Sequence, residues 1–338
     1  LVIGPQSIQS LNHFLQKSDL SQTSITDFDV IEKFDTLNQI KRNQNSKSAF
    51  VTIQEGCDKF CHFCVVPYTR GSEYSRTVYE IEDEVKSLVD LGVVEFTLLG
   101  QNVNAFHGSD ASGHSHSLAS LIDKVSQING VERITYSTSH PVNMTDDLIE
   151  LHGTNHKLMP FLHLPVQSGS DKILKLMNRK HTRDFYFDII EKVRKAKPNI
   201  ALSSDFIIGF PGETQKDFED TLDLIRRIKY MNSYSFKYSP RPGTPAANKE
   251  EINKDILDER LAITQELLDE QQMEYNRNFI TKTVKVLIDG AGKLEGQIKG
   301  KSEFNQSVAL EGEENHIGQI IPVQIKDVKM HSLIGERA

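Results

Sequence analysis

The sequence is poor in cysteine, has no excess of positive charge and contains no long apolar run. Only three of its 338 residues are cysteine, too few and too close together for a disulfide framework. No apolar stretch reaches the roughly 18 residues that a membrane-spanning helix needs, so no membrane partner is expected. The opening LVIGPQSIQSL has neither a starting Met nor the basic stretch of a signal peptide. It reads as the end of a buried strand running into a helix capped near Ser7, and a true N-terminus upstream is expected. Net charge is −8, so the surface as a whole does not attract nucleic acid, and any such contact needs a local basic patch. There is no low-complexity tract and no repeat at a solenoid period. What is present is ordinary for a soluble protein with a packed core, at 38% hydrophobic and 25% charged residues. The length suits one large domain plus something smaller.

Along the chain, residues 18–48 are polar and read as a linker. Strands and helices then alternate. AFVTIQEG, VEFTLLGQN, ERITYSTSHP, FLHLPVQSGS, IALSSDFIIGFPGET and SYSFKYSP read as six strands. Between them TVYEIEDEVKSLVDLG, SLASLIDKVSQING, MTDDLIELHG, DKILKLMNRK and QKDFEDTLDLIRRIKY have helical periodicity, with Gly92 as a helix stop. Repeated β-α units argue an α/β fold with a parallel sheet and helices outside. Periodicity leaves open an incomplete (β/α)6 barrel or a doubly wound sheet. A long helix at about 250–278 carries Ile256, Leu257, Leu261, Ile263, Leu267 and Leu268 on or near one stripe. Short alternating strands broken by glycine follow, as expected of a small all-β barrel of about 60 residues. The expected domains are 1–45, 46–275 and 276–338.

All three thiols fall within QEGCDKFCHFCVVPYTRG, as Cys57, Cys61 and Cys64, spaced C-x3-C-x2-C. Their clustering points to a metal in a reducing compartment, here the cytoplasm. Three thiolates can hold three irons of a [4Fe–4S] cube and leave the fourth open, and an open position marks a reactive metal site. A structural zinc would need a fourth ligand, and His62 is the only close candidate. The triplet lies after the first strand, at the carboxyl end of the sheet, where α/β proteins place their chemistry.

C-x3-C-x2-C after a first strand, with Phe63 just before the last cysteine, resembles the radical S-adenosylmethionine (SAM) superfamily. FVTIQEGCDKFCHFCVVPYTRGSEYSR, LLGQNVNAF, HLPVQSGSDKILKLMNRKHT, SDFIIGFPGET and YSPRPGTPA together resemble its methylthiotransferases, and within them the bacterial tRNA branch. The resemblance covers nearly the whole chain. It favours the incomplete radical SAM barrel, and it implies that residues 1–45 are the tail of an N-terminal methylthiotransferase domain and that the last 60 or so form a TRAM-like RNA-binding barrel. It implies a [4Fe–4S] cluster on Cys57, Cys61 and Cys64 that binds SAM through its amino and carboxylate groups. One electron from the cluster, delivered by a flavodoxin- or ferredoxin-type donor, would cleave SAM to a 5′-deoxyadenosyl radical. A second SAM would donate the methyl group. A second [4Fe–4S] cluster, on three cysteines of the N-terminal domain, would supply or carry the sulfur. Those cysteines lie outside this sequence, so this chain is expected to make the radical without completing sulfur insertion. The implied reaction adds a methylthio group to C2 of N(6)-dimethylallyladenosine next to the tRNA anticodon, and the implied state is a monomer.

Other positions are candidates for cofactor or substrate. Gln101 and Asn102 end the second strand, where SAM's amino group would bind, or form a turn. Gln167 and Ser168 end the fourth, within reach of a ribose or carboxylate, or cap a helix. Asp205 needs a partner if buried, and Arg179 or a ligand would suit it. GFPGET is a turn with a capped helix start or a close backbone approach to adenine. Ser139 and His140 end the third strand and face substrate or serve structure. Arg70, Arg76 and Arg241 sit on loops at the same end and suit phosphates or carboxylates, or are solvated charges. Lys282, Lys285, Lys293, Lys299 and Lys301 could track a phosphate backbone, although Glu311, Glu313 and Glu314 share that segment. Two other readings stand beside the tRNA enzyme. One is a methylthiotransferase acting on an aspartate of a ribosomal protein. The other is a non-catalytic RNA-binding protein with a structural zinc.

Overall fold

The computed structural model describes residues 2–4, 11–16, 24–25 and 46–338. The expected cap at Ser7 and most of the polar linker lie outside them. Near the start, β1 (Val2–Ile3) precedes helix α1 (Leu11–Leu15) and pairs in parallel with β2 (Ser24–Ile25).

The large domain begins at β3 (Ser48–Thr52) and a short β4 (Gln54–Glu55), followed by the cysteine loop, α2 (Val66–Arg70) and β5 (Tyr74–Ser75), which pairs antiparallel with β4. Then come α3 (Val78–Asp90), β6 (Glu95–Leu99), α4 (Leu118–Ser126), β7 (Arg133–Tyr136), α5 (Asp146–Thr154) and β8 (Phe161–His163). The series closes with α6 (Asp171–Leu176), α7 (Arg183–Ala196), β9 (Ala201–Ile208), α8 (Gln215–Ile228) and β10 (Asn232–Lys237). Local signals set the helix ends. Thr77 with Glu80, and Thr214 with Asp217, form capping boxes that satisfy the first free N–H groups of α3 and α8. Gly92 follows α3 at φ +87°, the left-handed position that stops a helix.

Strand order settles the choice that periodicity left open. β3, β6 and β7 pair in parallel in that order, as do β8, β9 and β10. A single parallel bridge between Ile134 and Leu158 joins the two groups. Order in space therefore equals order in the chain. A doubly wound sheet reverses at a switch point, and this one never does. The result is an incomplete six-stranded barrel, open between β3 and β10 among the described residues. Val51, Phe96, Leu98, Ile134, Leu162 and Phe206 are buried in its wall.

Helix α9 (Lys254–Arg277) runs back along this domain. The expected stripe is corrected here. Ile256 and Ile263 are exposed, whereas Leu257, Arg260, Thr264, Leu268 and Gln271 are buried. Two polar members belong to the buried face because each has partners. Arg260 meets Glu213 at 2.8 Å, and Gln271 bonds the Ile225 carbonyl and the Tyr230 N–H. After α9, strands β11 (Thr283–Ala291), β12 (Gln297–Ser302), β13 (Ser307–Glu311), β14 (Ile320–Lys329) and β15 (Ser332–Arg337) close into a barrel in the order β11-β12-β13-β15-β14. Its core includes Val284, Phe279 and Phe304, and takes in Phe161, Ala201 and Met231 from the large domain.

Candidate active site

The cysteine loop leaves the carboxyl end of β3 and is held from both sides. Gln54, fully buried, accepts the N–H groups of Gln101 and Asn102 on one carboxamide oxygen, at 3.0 Å each. Gln101 in turn accepts the Gly56 N–H at 2.7 Å. Gly56 sits at φ +77°, and a Cβ there would stand 2.0 Å from the Ser72 carbonyl oxygen, so only glycine fits. On the far side, His62 donates from its backbone to the Met177 carbonyl (3.0 Å) and from Nδ1 to the Leu176 carbonyl (2.8 Å).

All three cysteines are free thiols, Cys61 buried and Cys57 and Cys64 half-buried. Burial pushes Cys57 up to about 11 and raises Cys64. Thiols in this state become thiolates when a cation binds, which is how metal ligation couples to proton release. Arg179 brings a guanidinium to the sulfurs, with Nη1 donating to Cys61 Sγ at 3.7 Å. Among the described residues, no three His, Cys, Asp or Glu side chains converge as ligands of one ion. His62 spends its Nδ1 on the Leu176 carbonyl rather than turning it to the thiols.

Arg179 gets there through a break in the expected helix. DKILKLMNRK is expected to begin one helix. Instead α6 stops after one and a half turns, and Asn178 and Lys180 both take left-handed φ near +61°. The turn sends Arg179 inward, where Nη2 also donates to the Pro165 carbonyl. The expected Arg179–Asp205 pairing is therefore corrected. Asp205 is only partly buried and faces His163, whose Nε2 lies 3.5 Å from Oδ2 and whose Nδ1 lies 3.0 Å from Ser203 Oγ. A half-solvated carboxylate does not need a guanidinium. Thr97, Thr135, Ser137, His163, Ser203 and Tyr234 line a cavity of about 240 Å³ inside the half-barrel.

The remaining candidates divide into free and committed groups. Asn102, Ser139 and His140 are buried on the rim beside the loop, and Asn102 Oδ1, Ser139 Oγ and His140 Nε2 have no hydrogen-bond partner. His140 is clamped to Asn104 by two hydrogen bonds of 2.9 Å, and its Nδ1 accepts the Val142 N–H. Nε2 therefore carries the proton and faces the site as a donor. Burial, reinforced by Arg179 and His181, holds this imidazole far below its ordinary value, so it is neutral. Thr138 (φ +72°) and Gln167 (φ +79°) hold left-handed backbone on the same rim, a local strain typical of functional sites. Gln167 is buried and ties β8's extension to β9 through its backbone.

Ser168 and Arg76 are corrected to structural roles. Ser168 Oγ bonds Thr221 and the Ser170 N–H, so it braces α8 and the start of α6. Arg76 is 2% exposed, bound to Glu84 at 2.5 Å and the Thr52 carbonyl at 2.8 Å. It cannot reach a substrate without leaving a buried carboxylate unpaired. Gln101 uses its oxygen on Gly56 and serves as a loop brace. Phe63 packs on the cluster of Ile173, Met177, Phe210 and Tyr238 beneath the loop. Arg70 is partly exposed and pairs with buried Glu55 at 2.8 Å. Arg241 is exposed on the loop after β10.

Comparison with known proteins agrees with this architecture. Residues 51–225 match the model of the radical SAM superfamily, and residues 277–337 match that of the TRAM domain. The chain is 52% identical to proteins named tRNA-2-methylthio-N(6)-dimethylallyladenosine synthase from Rickettsia felis and Rickettsia bellii, over 99% of this chain and 76% of theirs. The solved coproporphyrinogen III oxidase of Escherichia coli, a radical SAM enzyme, superposes with a TM-score of 0.48 at 17% identity, covering 73% of this chain and 59% of that one.

Proposed function

This chain belongs to the radical SAM superfamily and, within it, to the tRNA-2-methylthio-N(6)-dimethylallyladenosine synthase family, and from that premise we propose that it methylthiolates C2 of N(6)-dimethylallyladenosine beside the anticodon of tRNA. It is a transferase that works with a [4Fe–4S] cluster and SAM. The observation that carries the reading is the braced loop of three free cysteines at the carboxyl rim of the half-barrel. Cys57, Cys61 and Cys64 would hold the cluster, and the bound cluster would supply the electron that cleaves SAM. The chain's own residues supply the setting. Gln54, Gln101 and Gly56 fix the loop, and Arg179 places positive charge on Cys61. Asn102 Oδ1 is an acceptor suited to SAM's amino group, and Ser139 Oγ and His140 Nε2 are donors suited to its carboxylate or to the substrate base. The cavity in the half-barrel offers room beside the loop for part of a splayed nucleotide, which an enzyme must reach outside the base stack. The sulfur source implied for the family lies on further cysteines, and a flavodoxin- or ferredoxin-type protein is the electron donor. The protein acts as a monomer in the cytoplasm, where its tRNA is.

The test is anaerobic reconstitution, then iron and sulfide analysis, then dithionite and SAM with an assay for 5′-deoxyadenosine. About four irons and four sulfides per chain, 5′-deoxyadenosine formed, and both lost in Cys61→Ala are the expected outcome. Anticodon stem-loops with and without the dimethylallyl group then test the substrate. Colourless protein with one zinc and intact SAM would refute the reading.

A further inference from the structure

The closed β-barrel does not sit beside the cysteine loop. It caps the opposite end of the sheet. Glu95, Arg133, Phe161 and Ala201 are the first residues of β6, β7, β8 and β9, and all four face the barrel or its junction. Phe161 and Ala201 enter the barrel's apolar core. Arg133 crosses between the domains. Its Nη2 donates to the Lys285 carbonyl of β11 at 2.8 Å, and its Nη1 donates to the Lys301 carbonyl of β12 at 3.1 Å. Nη1 also meets Glu95 Oε2 at 3.4 Å. Both side chains are buried, 6% and 9% exposed.

One planar guanidinium thus spans two barrel strands and one sheet carboxylate. A planar fork fixes orientation as well as distance, which a point charge such as lysine does not. The barrel and the cysteine loop lie at opposite ends of β6, whose five residues at about 3.3 Å each span roughly 16 Å. An RNA gripped at one end must deliver one nucleotide to the other, so a small tilt of the barrel becomes a displacement at the reacting atom. We infer that Arg133, with Glu95, is a positioning residue that locks the RNA-binding barrel to the radical domain and sets the register in which barrel-bound tRNA presents its nucleotide. The inference rests on the proposed function for its RNA, but not for the joint itself.

The test uses Arg133→Met/Glu95→Leu in the full-length protein. Removing both charges avoids stranding a buried carboxylate, the hazard of Arg133→Met alone. The apolar contacts of Phe161, Ala201 and Met231, and the bonds of Asn276 to Gln306 and the Lys329 carbonyl, keep the barrel attached. Small-angle scattering should show a broader distribution of domain distances than in the parent. With the dimethylallyl stem-loop, kcat should fall about tenfold or more, while KM for the RNA and RNA-free formation of 5′-deoxyadenosine change by less than about twofold. Arg133→Lys should recover the ion pair but not the scattering profile or the kcat. An unchanged profile, or a parallel fall in RNA-free SAM cleavage, would overturn the inference. If the parent proves inactive on tRNA, the proposed function fails, and the scattering alone decides the joint.

Discussion

Lowering the pH should weaken this fold through one buried histidine on the back of the sheet. His152 of α5 is 1% exposed, and its Nε2 lies 2.7 Å from the hydroxyl of buried Tyr136 on β7. Its Nδ1 has no partner. Burial, with a smaller push from Lys197, holds the imidazole down to about 4. An unfolded histidine titrates near 6.5. The unfolded chain therefore takes up the proton first, and stability that is complete above about pH 6.5 drains away as pH falls toward 4. At pH 5 the ratio of the two binding polynomials gives a loss of about 2 kcal/mol from this one group. With a urea slope of about 2 kcal/mol per molar, the unfolding midpoint should drop by about 1 M. His152→Gln keeps a hydrogen-bonding partner for Tyr136 and cannot be protonated. The assay is urea unfolding of parent and variant at pH 7 and pH 5. His140 and His181 are shared by both proteins, so their contributions cancel in the comparison. The parent's midpoint should fall by about 1 M more than the variant's. Midpoints that move in parallel would refute the reasoning.

Three further outcomes follow from the site. Gly56→Ala should leave the far-ultraviolet circular dichroism unchanged while reconstituted iron falls below about half the parent's value, because the added Cβ meets the Ser72 carbonyl and distorts the cysteine loop. Arg179→Met removes the donor and the charge at Cys61 Sγ, so the cluster's midpoint potential in an EPR-monitored titration should shift downward by on the order of tens of millivolts. Ser170 caps α6 and donates to Asp217 at 2.7 Å, so Ser170→Ala should cost about 1–2 kcal/mol in denaturant unfolding at pH 7. Burial alone would raise the Asp217 carboxyl, but hydrogen bonds from Lys172, Thr214 and Ser170 outweigh it and hold the group well below its ordinary value. This stabilisation is present above about pH 4 and lost on further acidification, so the parent–variant gap should narrow there.

The features legible in the sequence are those written in neighbouring residues. The cysteine triplet, the β-α alternation and the glycine-punctuated barrel all rest on spacings within about 20 positions. The misread features depend on partners that only folding supplies. Arg76 looks like a loop arginine until Glu84, eight residues on, is seen beneath it. Arg179 looks like part of a helix until Asn178 and Lys180 turn the chain. Gln54 gives no signal at all, since a glutamine in a strand is unremarkable until two N–H groups just past the end of β6 meet its oxygen. The buried face of α9 departs from its apolar stripe because Arg260 and Gln271 are buried by their partners rather than by their own hydrophobicity. The choice between barrel and open sheet lay in strand pairing, which no local pattern records.

The braces of the cysteine loop also impose an order on its making. The loop is complete in the chain at residue 64, yet Gln101 comes 45 positions after Gly56, and Arg179 comes 118 after Cys61. During synthesis from the N-terminus, the ribosome must therefore add α3 and β6 before Gly56 is tied down, and about a third of the chain before the Arg179 guanidinium reaches Cys61. Iron delivered to the nascent polypeptide would meet three thiols on an untethered segment. The braced loop is complete only after β8 and α6 have emerged, so a cluster held there would be loaded onto a chain already about half made.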